Sequence, residues 1–485
     1  MPLPRNAVVN AVAKLDGAAE QLMRSSGIPG MAVGVVYNGK TLYAKGFGVR
    51  DTRTGQKVDA DTVFQLASLS KPLSASVVAQ QVGVGTIRWD TPIVEALEWF
   101  ALSDPVATRL VTVGDLFAHR SGLPEHAGDL LEDLGYERRT ILQRLRLLPL
   151  GPFRASYAYT NFGVTAAAEA VAAAAGRDWA QLCDEVLYRP LGMASTSSRF
   201  ADFLSRPNRA VGHVRVPGEA GAGYRPPRDP RNPDPQAPAG GVSSSVNDLT
   251  RWLAMMLADG RDNGTPLLDP KALLPALTPQ MVSSPPEEPA ERSGFYGYGF
   301  NVDTSAAGRV QFSHSGAFLL GAATNFVIIP DADVAIVVLT NAAPSGVPEA
   351  LTAQFTDLVE FGEIRADWAA LYRDAFAGID RPVGDLVGTP APAQPSPARP
   401  LPAYVGSYAN DYFGPATVTA NGGRLTLSLG ARPQTFDLAH RDGDVFTFAL
   451  GSENAPPGSV SAATFRGETL TLEYFDSDGM GTFTR

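Results

Sequence analysis

Residues Val63-Phe64-Gln65-Leu66-Ala67-Ser68-Leu69-Ser70-Lys71 open on an extended apolar run and pass into a helical pattern over 73–82. Ser68 and Lys71 stand at that junction. Positions i and i+3 of a helix share a face, so an amine there can touch the hydroxyl one turn earlier. A helix that begins near Ser68 also turns its free N–H groups and its positive end toward any anion forming at that point. Only six of the 40 basic residues are lysines, and Lys71 alone follows a serine by three positions. Taken singly, the spacing is that of many solvated surface pairs.

Upstream, Val8, Val12, Leu15, Ala19 and Leu22 recur at steps of three and four and predict an amphipathic helix, closed by Gly27 and Pro29. Asn38-Gly39 between the apolar runs 31–37 and 41–46 predicts a hairpin, because a type I′ turn needs positive φ at both central residues. Downstream, a helical insert is expected over about 75–210. Residues 224–238, crowded with Pro, Asp and Arg, read as an exposed loop, and Ser245-Val246-Asn247-Asp248 as a capping box before the next helix. Strand patterns return at 310–313, 324–329 and 334–339, followed by helical ones through Leu351, Phe355, Leu358, Trp368 and Tyr372. A sheet split in sequence, with helices at both ends and a helical insert, is an α+β arrangement.

Residues 381–402 hold seven prolines and read as an extended linker. Past it the texture changes to short alternating runs at 417–419, 425–429, 445–449 and 470–474, parted by Asn421-Gly422, Asp442-Gly443 and Asp478-Gly479. The expected organisation is therefore a main domain over 1–380, a linker over 381–402, and an antiparallel β-barrel over 403–485.

Composition narrows the function. The 485 residues carry a net charge of −10, which gives no general attraction to nucleic acid. The single cysteine, Cys183, excludes an internal disulfide framework and reads as a buried, inert thiol. No apolar run approaches the ~18 residues a membrane span needs. The first 15 residues lack the apolar core of a secretion signal, so a cytoplasmic location is expected, or a periplasmic or secreted one if a leader precedes this sequence. The five histidines show no His-Glu-x-x-His spacing, and neither a Walker loop nor a dinucleotide fingerprint is present, so neither metal nor cofactor is expected. Without a Gly-x-Ser-x-Gly elbow, an α/β-hydrolase is excluded as well. A small molecule or short peptide remains as the partner, and no feature sets an oligomeric state.

Two further stretches bear chemistry. In Tyr157-Ala158-Tyr159-Thr160-Asn161-Phe162-Gly163, a phenol can shuttle protons and an amide can hold a substrate carbonyl; a packed aromatic turn is the ordinary alternative. In Phe312-Ser313-His314-Ser315-Gly316-Ala317, a small strand edge lets a ligand approach closely and leaves an N–H for an oxyanion; a strand with a solvent-facing histidine is the alternative.

Ser-x-x-Lys, Tyr-x-Asn and His-x-Gly, in that order, resemble the penicillin-recognising serine hydrolases, closest to the class C β-lactamase-related branch of D-aminopeptidases, D-Ala-D-Ala peptidases, esterases, amide hydrolases and peptide-cyclising thioesterases. Leu116-Phe117-Ala118-His119-Arg120-Ser121-Gly122-Leu123-Pro124, Pro190-Leu191-Gly192-Met193 and Ala239-Gly240-Gly241-Val242-Ser243-Ser244 add lesser similarities, and the resemblance spans about 15–375. It implies a β-lactamase/transpeptidase-like fold, an antiparallel sheet flanked by helices with an all-helical subdomain. The tail is similar to the lipocalin-like barrel of some members.

Carried over, the resemblance makes Ser68 the acylated nucleophile and Lys71 with Tyr159 its base system, the buried pair lowering both the amine's and the phenol's pKa. Asn161 orients Lys71 and the substrate, the backbone N–H groups of Ser68 and Ala317 form the oxyanion hole beside Gly316, and Ser315 supplies a hydroxyl. His314 transfers protons or binds a carboxylate. Most β-lactamases and cell-wall peptidases of this family have a lysine where His314 stands, and a histidine is neutral much of the time at pH 7. The expectation is thus a hydrolase of amides or esters working through an acyl-enzyme. A weakly active β-lactamase, a penicillin- or peptidoglycan-binding sensor and a peptide-cyclising thioesterase are the alternatives.

Overall fold

The computed structural model describes residues 2–216 and 223–485; Met1 and 217–222, within the expected main domain, lie outside it. At Asn38 and Gly39 φ is 52° and 67°, the left-handed pair a type I′ turn requires, and the strands Gly30–Tyr37 and Lys40–Gly48 diverge from it. They form one edge of an eight-stranded sheet, antiparallel throughout, that continues through Val334–Thr340, Ala322–Ile329, Val310–Phe318, Asn301–Thr304, Gly294–Tyr296 and Met281–Ser284. The three outermost strands are only three or four residues long, without a turn signal as clear as Asn-Gly, and the sequence reading does not anticipate them.

Alternation along the strands serves two layers. Met31, Val33, Val35, Ile336 and Val338 pack with the helices Ala7–Ser26 and Val347–Phe361. Ala32, Val36, Val337 and Leu339 turn to the other side, toward Val246–Leu257 and the helical layer. Between sheet and helical layer runs Ser70–Gly83, buried on nearly every side. A helix so placed leaves no hydroxyl to water, and each of its serines is bonded: Ser70 Oγ to the Ala67 carbonyl, Ser74 Oγ to Pro238, Ser76 Oγ to Pro72.

Ser245 does cap Val246–Leu257, accepting the Asp248 N–H at 3.2 Å. The reciprocal half of the expected box is missing, since Asp248 accepts instead from the Ser195 N–H and the Thr196 hydroxyl. The exposed loop expected over 224–238 is corrected more strongly. Its second half turns inward, with Arg231 only 8% and Gln236 4% exposed. Burial is compensated because Arg231 meets Glu132 at 2.5 Å and Gln236 donates to the same carboxylate.

In the tail, eight antiparallel strands follow in sequence order from Gly406–Tyr408 to Thr482–Thr484. Ala409 and Thr484 exchange backbone hydrogen bonds and close the sheet into a barrel. Leu425, Leu427, Phe446, Phe448, Ala463 and Phe465 fill its interior. The fold is β-lactamase/transpeptidase-like with a lipocalin-like antiparallel barrel at the C-terminal end, as expected.

The barrel sits against the helical layer. Tyr136 and Arg144 donate to the Phe413 and Tyr412 carbonyls, each at 2.7 Å, and Ser452 and Asn454 converge on Asp133 at 2.6 and 2.9 Å. Among the described residues no helix is long and apolar enough to cross a membrane.

Candidate active site

Leu66 is held by the Val242 carbonyl, in a two-residue ladder that pairs Phe64–Gln65 with Ser243–Ser244. Ala67 then takes φ 48°, a strained left-handed conformation for a residue with a Cβ, and the chain turns through Ala67–Leu69 into the helix. Ser68 emerges from this bend partly exposed at the mouth of a cavity of about 340 Å³.

Three separate stretches meet there. Lys71 Nζ donates to Ser68 Oγ at 3.1 Å, to Asn161 Oδ1 at 2.8 Å and to the Ala239 carbonyl at 3.1 Å. The Tyr159 hydroxyl donates to Ser68 Oγ at 2.7 Å. Asn161 opens the helix Asn161–Ala175, and its Nδ2 donates to Asp129 Oδ2 at 3.0 Å.

Lys71 has no exposed surface, and burial pulls its pKa down to about 7; the Asp129 charge opposes that fall. Tyr159 moves the other way. Burial raises its pKa, against the expected lowering, since desolvation of the phenolate outweighs the stabilising bond to Ser68. The pair is therefore a neutral-capable amine beside a phenol that keeps its proton.

The backbone around Tyr159 is clamped on every side. Ala158 N–H donates to the His119 carbonyl, Thr160 N–H to His119 Nδ1, and His126 N–H to the Tyr159 carbonyl. His119, at φ 56°, also lays its ring 4.5 Å from that of Tyr159. Burial first, and then the Lys71 charge, hold it well below the usual histidine range, so it is neutral, with Nδ1 the acceptor.

The strand Val310–Phe318 forms the opposite wall. Ser315, Ala317 and His314 line the cavity with Ser68. A Cβ on Gly316 would stand 2.3 Å from the Leu66 carbonyl oxygen and 2.9 Å from the Ser68 nitrogen, so only glycine lets the strand press against the turn that carries Ser68. Ser315 Oγ accepts from Asn325 at 2.9 Å.

His314 is not solvent-facing. Its Nδ1 bonds the Ser315 carbonyl at 2.6 Å and its Nε2 the Tyr296 hydroxyl at 2.7 Å. Burial drops its pKa to about 3, leaving a neutral imidazole with both nitrogens engaged. That arrangement supports neither proton transfer nor a cation for a carboxylate.

Several cleft residues carry no motif in the sequence. His126 comes from a helical-layer loop and Asp129 from the start of the helix Asp129–Asp133, Glu349 from the start of Val347–Phe361, Arg231 from the 231–240 stretch, and Glu453 with Asn454 from the barrel. Only Tyr296 has a local signal, the run Tyr296-Gly297-Tyr298-Gly299-Phe300.

A serine hydroxyl with an amine and a phenol in bonding reach, at the junction of sheet and helical layer, is the setting of a serine hydrolase acting on amide or ester bonds. The chain belongs to the beta-lactamase family, whose model matches residues 15–361; a domain of unknown function, DUF3471, matches 390–479. Among its relatives, Unguisins hydrolase ungD of Aspergillus violaceofuscus is 26% identical over 90% of this chain and 82% of its own length. Esterase EstB of Burkholderia gladioli is 29% identical over 72% of this chain and 94% of its own. Among solved structures, the octameric penicillin-binding protein homologue from Pyrococcus abyssi superposes with a TM-score of 0.64 at 18% identity, covering 98% of this chain and 100% of that one.

Proposed function

We propose that this hydrolase cleaves amides or esters of small or D-configured acyl groups through an acyl-Ser68 intermediate. The reading is carried by one observation: Ser68 Oγ receives Lys71 Nζ at 3.1 Å and the Tyr159 hydroxyl at 2.7 Å. Neutral Lys71 takes the Ser68 proton as Oγ bonds to the substrate carbonyl carbon. The backbone N–H groups of Ser68 and Ala317 stabilise the oxyanion. As the carbonyl re-forms, the bond to the leaving nitrogen or oxygen breaks and that atom takes a proton delivered from Lys71 by way of Tyr159. Water, deprotonated along the same route, then attacks the acyl carbon and frees Ser68.

Asn161 fixes Lys71 through its Oδ1 while Asp129 fixes Asn161, and burial keeps the amine from carrying a permanent charge near neutral pH. His314, neutral, offers no permanent positive charge to a ligand carboxylate, which disfavours efficient β-lactam turnover.

A p-nitrophenyl ester tests the reading. Wild type gives a burst followed by steady turnover, and mass spectrometry finds the acyl group on Ser68. Hydrolysis by Ser68→Ala at the wild-type rate overturns it, and a halt after one equivalent favours the sensor alternative.

A further inference from the structure

The nucleophile's cavity does not end at the catalytic residues. His126, Asp129, Ala317, Glu453 and Asn454 line both it and a second cavity of about 970 Å³, enclosed by the helical layer, the segment after residue 377 and the barrel. Carboxylates crowd this vestibule: Glu125, Asp129, Asp385, Glu453, Glu473, Asp476 and Asp478. Its one permanent cation is Arg381, while His126, which bonds Asp129, is its only histidine among the described residues. Among the described residues no lysine or arginine forms a direct ion pair with any of the seven, and only Glu453 feels a nearby arginine charge, that of Arg231.

Asp129 adds an independent observation. It is 4% exposed, Asn161 and His126 share its Oδ2, and its Oδ1 has no hydrogen-bond partner. A buried carboxylate oxygen without a donor costs free energy unless a ligand supplies one. The barrel wall contributes Tyr412, Tyr474 and Phe475, whose rings suit an aliphatic chain ending in a cation.

We propose that the vestibule binds a positively charged arm of the substrate, a primary ammonium or guanidinium on a flexible aliphatic segment, while the scissile carbonyl lies at Ser68. This specificity rests on the acyl-Ser68 reading above. It makes the barrel half of the binding site, and it is the opposite of the carboxylate recognition that a cation at position 314 would provide.

Two matched ester series test it. In one, p-nitrophenyl esters carry 6-aminohexanoyl, hexanoyl or monoadipoyl groups; in the other, acetate esters of six-carbon alcohols end in ammonium, methyl or carboxylate. In at least one series kcat/KM is expected to favour the cation over the anion by about tenfold or more at low salt, and added NaCl shrinks the ratio. Glu125→Gln with Asp478→Asn removes two charges that make no side-chain hydrogen bond. This pair should lower kcat/KM for the cationic ester about three- to tenfold and leave the neutral one unchanged.

Equal rates for all end groups in both series, with neutral esters still hydrolysed through Ser68, overturn the charge preference alone. Loss of Ser68-dependent hydrolysis of every ester overturns the acyl-enzyme reading beneath it.

Discussion

Glu453, on the barrel, accepts the backbone N–H of Leu319 at 2.7 Å, two residues past Ala317. Its second oxygen takes the Leu320 N–H at 3.1 Å. The carboxylate thus pins the turn that ends the strand Val310–Phe318, and through two peptide groups the barrel acts on the cleft that holds Ser68. Glu453→Gln keeps the shape and halves the acceptors. Charge-assisted bonds of this kind contribute about 1.5–3 kcal/mol, so kcat/KM should fall about tenfold with KM and kcat both moving. Ester kinetics unchanged from wild type would mean that the turn holds itself.

The Lys71 ammonium, held down to about 7, is acid in its protonated form and base in its neutral one. The neutral form fills as pH rises, so kcat/KM for an uncharged ester should climb through an apparent pKa near 7 and be lost below it. Tyr159, raised by burial, adds no alkaline limb in the accessible range. A profile flat from about pH 5 to 9 would remove Lys71 from the base role.

His119 is a positioning residue for Tyr159. His119→Ala loses the bond to the Thr160 N–H and leaves a void, which should lower stability by about 2–4 kcal/mol and kcat by at least about tenfold. His119→Asn tolerates φ 56° and restores an acceptor, so it should recover part of kcat as well as part of Tm. Recovery of Tm without kcat would assign His119 to folding only.

At Gly316 a methyl group meets backbone on two sides, and neither the Leu66 carbonyl nor the Ser68 nitrogen can swing away like a side chain. Gly316→Ala should displace the nucleophile turn and cut turnover by about 10²-fold or more, the scale of losing an oxyanion donor. Circular dichroism distinguishes this from unfolding. Near-wild-type turnover in a folded variant would show that the strand can withdraw.

Cys183 is 1% exposed, and burial pushes its thiol up to about 12. Native protein should resist a thiol-specific colorimetric reagent for hours and react once unfolded. Rapid labelling of the native state would place the helix around it in frequent local opening.

The hairpin at Asn38-Gly39, the amphipathic first helix and the Ser68–Lys71 spacing were legible because each depends on residues a few positions apart, where turn φ values and a 3.6-residue period act locally. The ordered motifs likewise placed Tyr159, Asn161 and the 314–317 strand in one cleft. Less was legible where partners come from far along the chain. Residues 231–238 look solvated in sequence, and only Glu132, 99 positions before Arg231, makes their burial tolerable. Nothing local marks Asp129, Glu349 or Glu453, since a carboxylate becomes part of a site through what surrounds it.

The amino-acid order alone therefore determined the α+β class of fold through short-range periodicity, while the ordered motifs, through the family they resemble, singled out Ser68 and the residues beside it. Protonation states and the reach of the cleft were decided by tertiary structure. Burial, which no local pattern encodes, sets Lys71 near neutrality, silences His314 and keeps the proton on Tyr159. Barrel docking, built from contacts hundreds of residues apart in sequence, closes the vestibule over them.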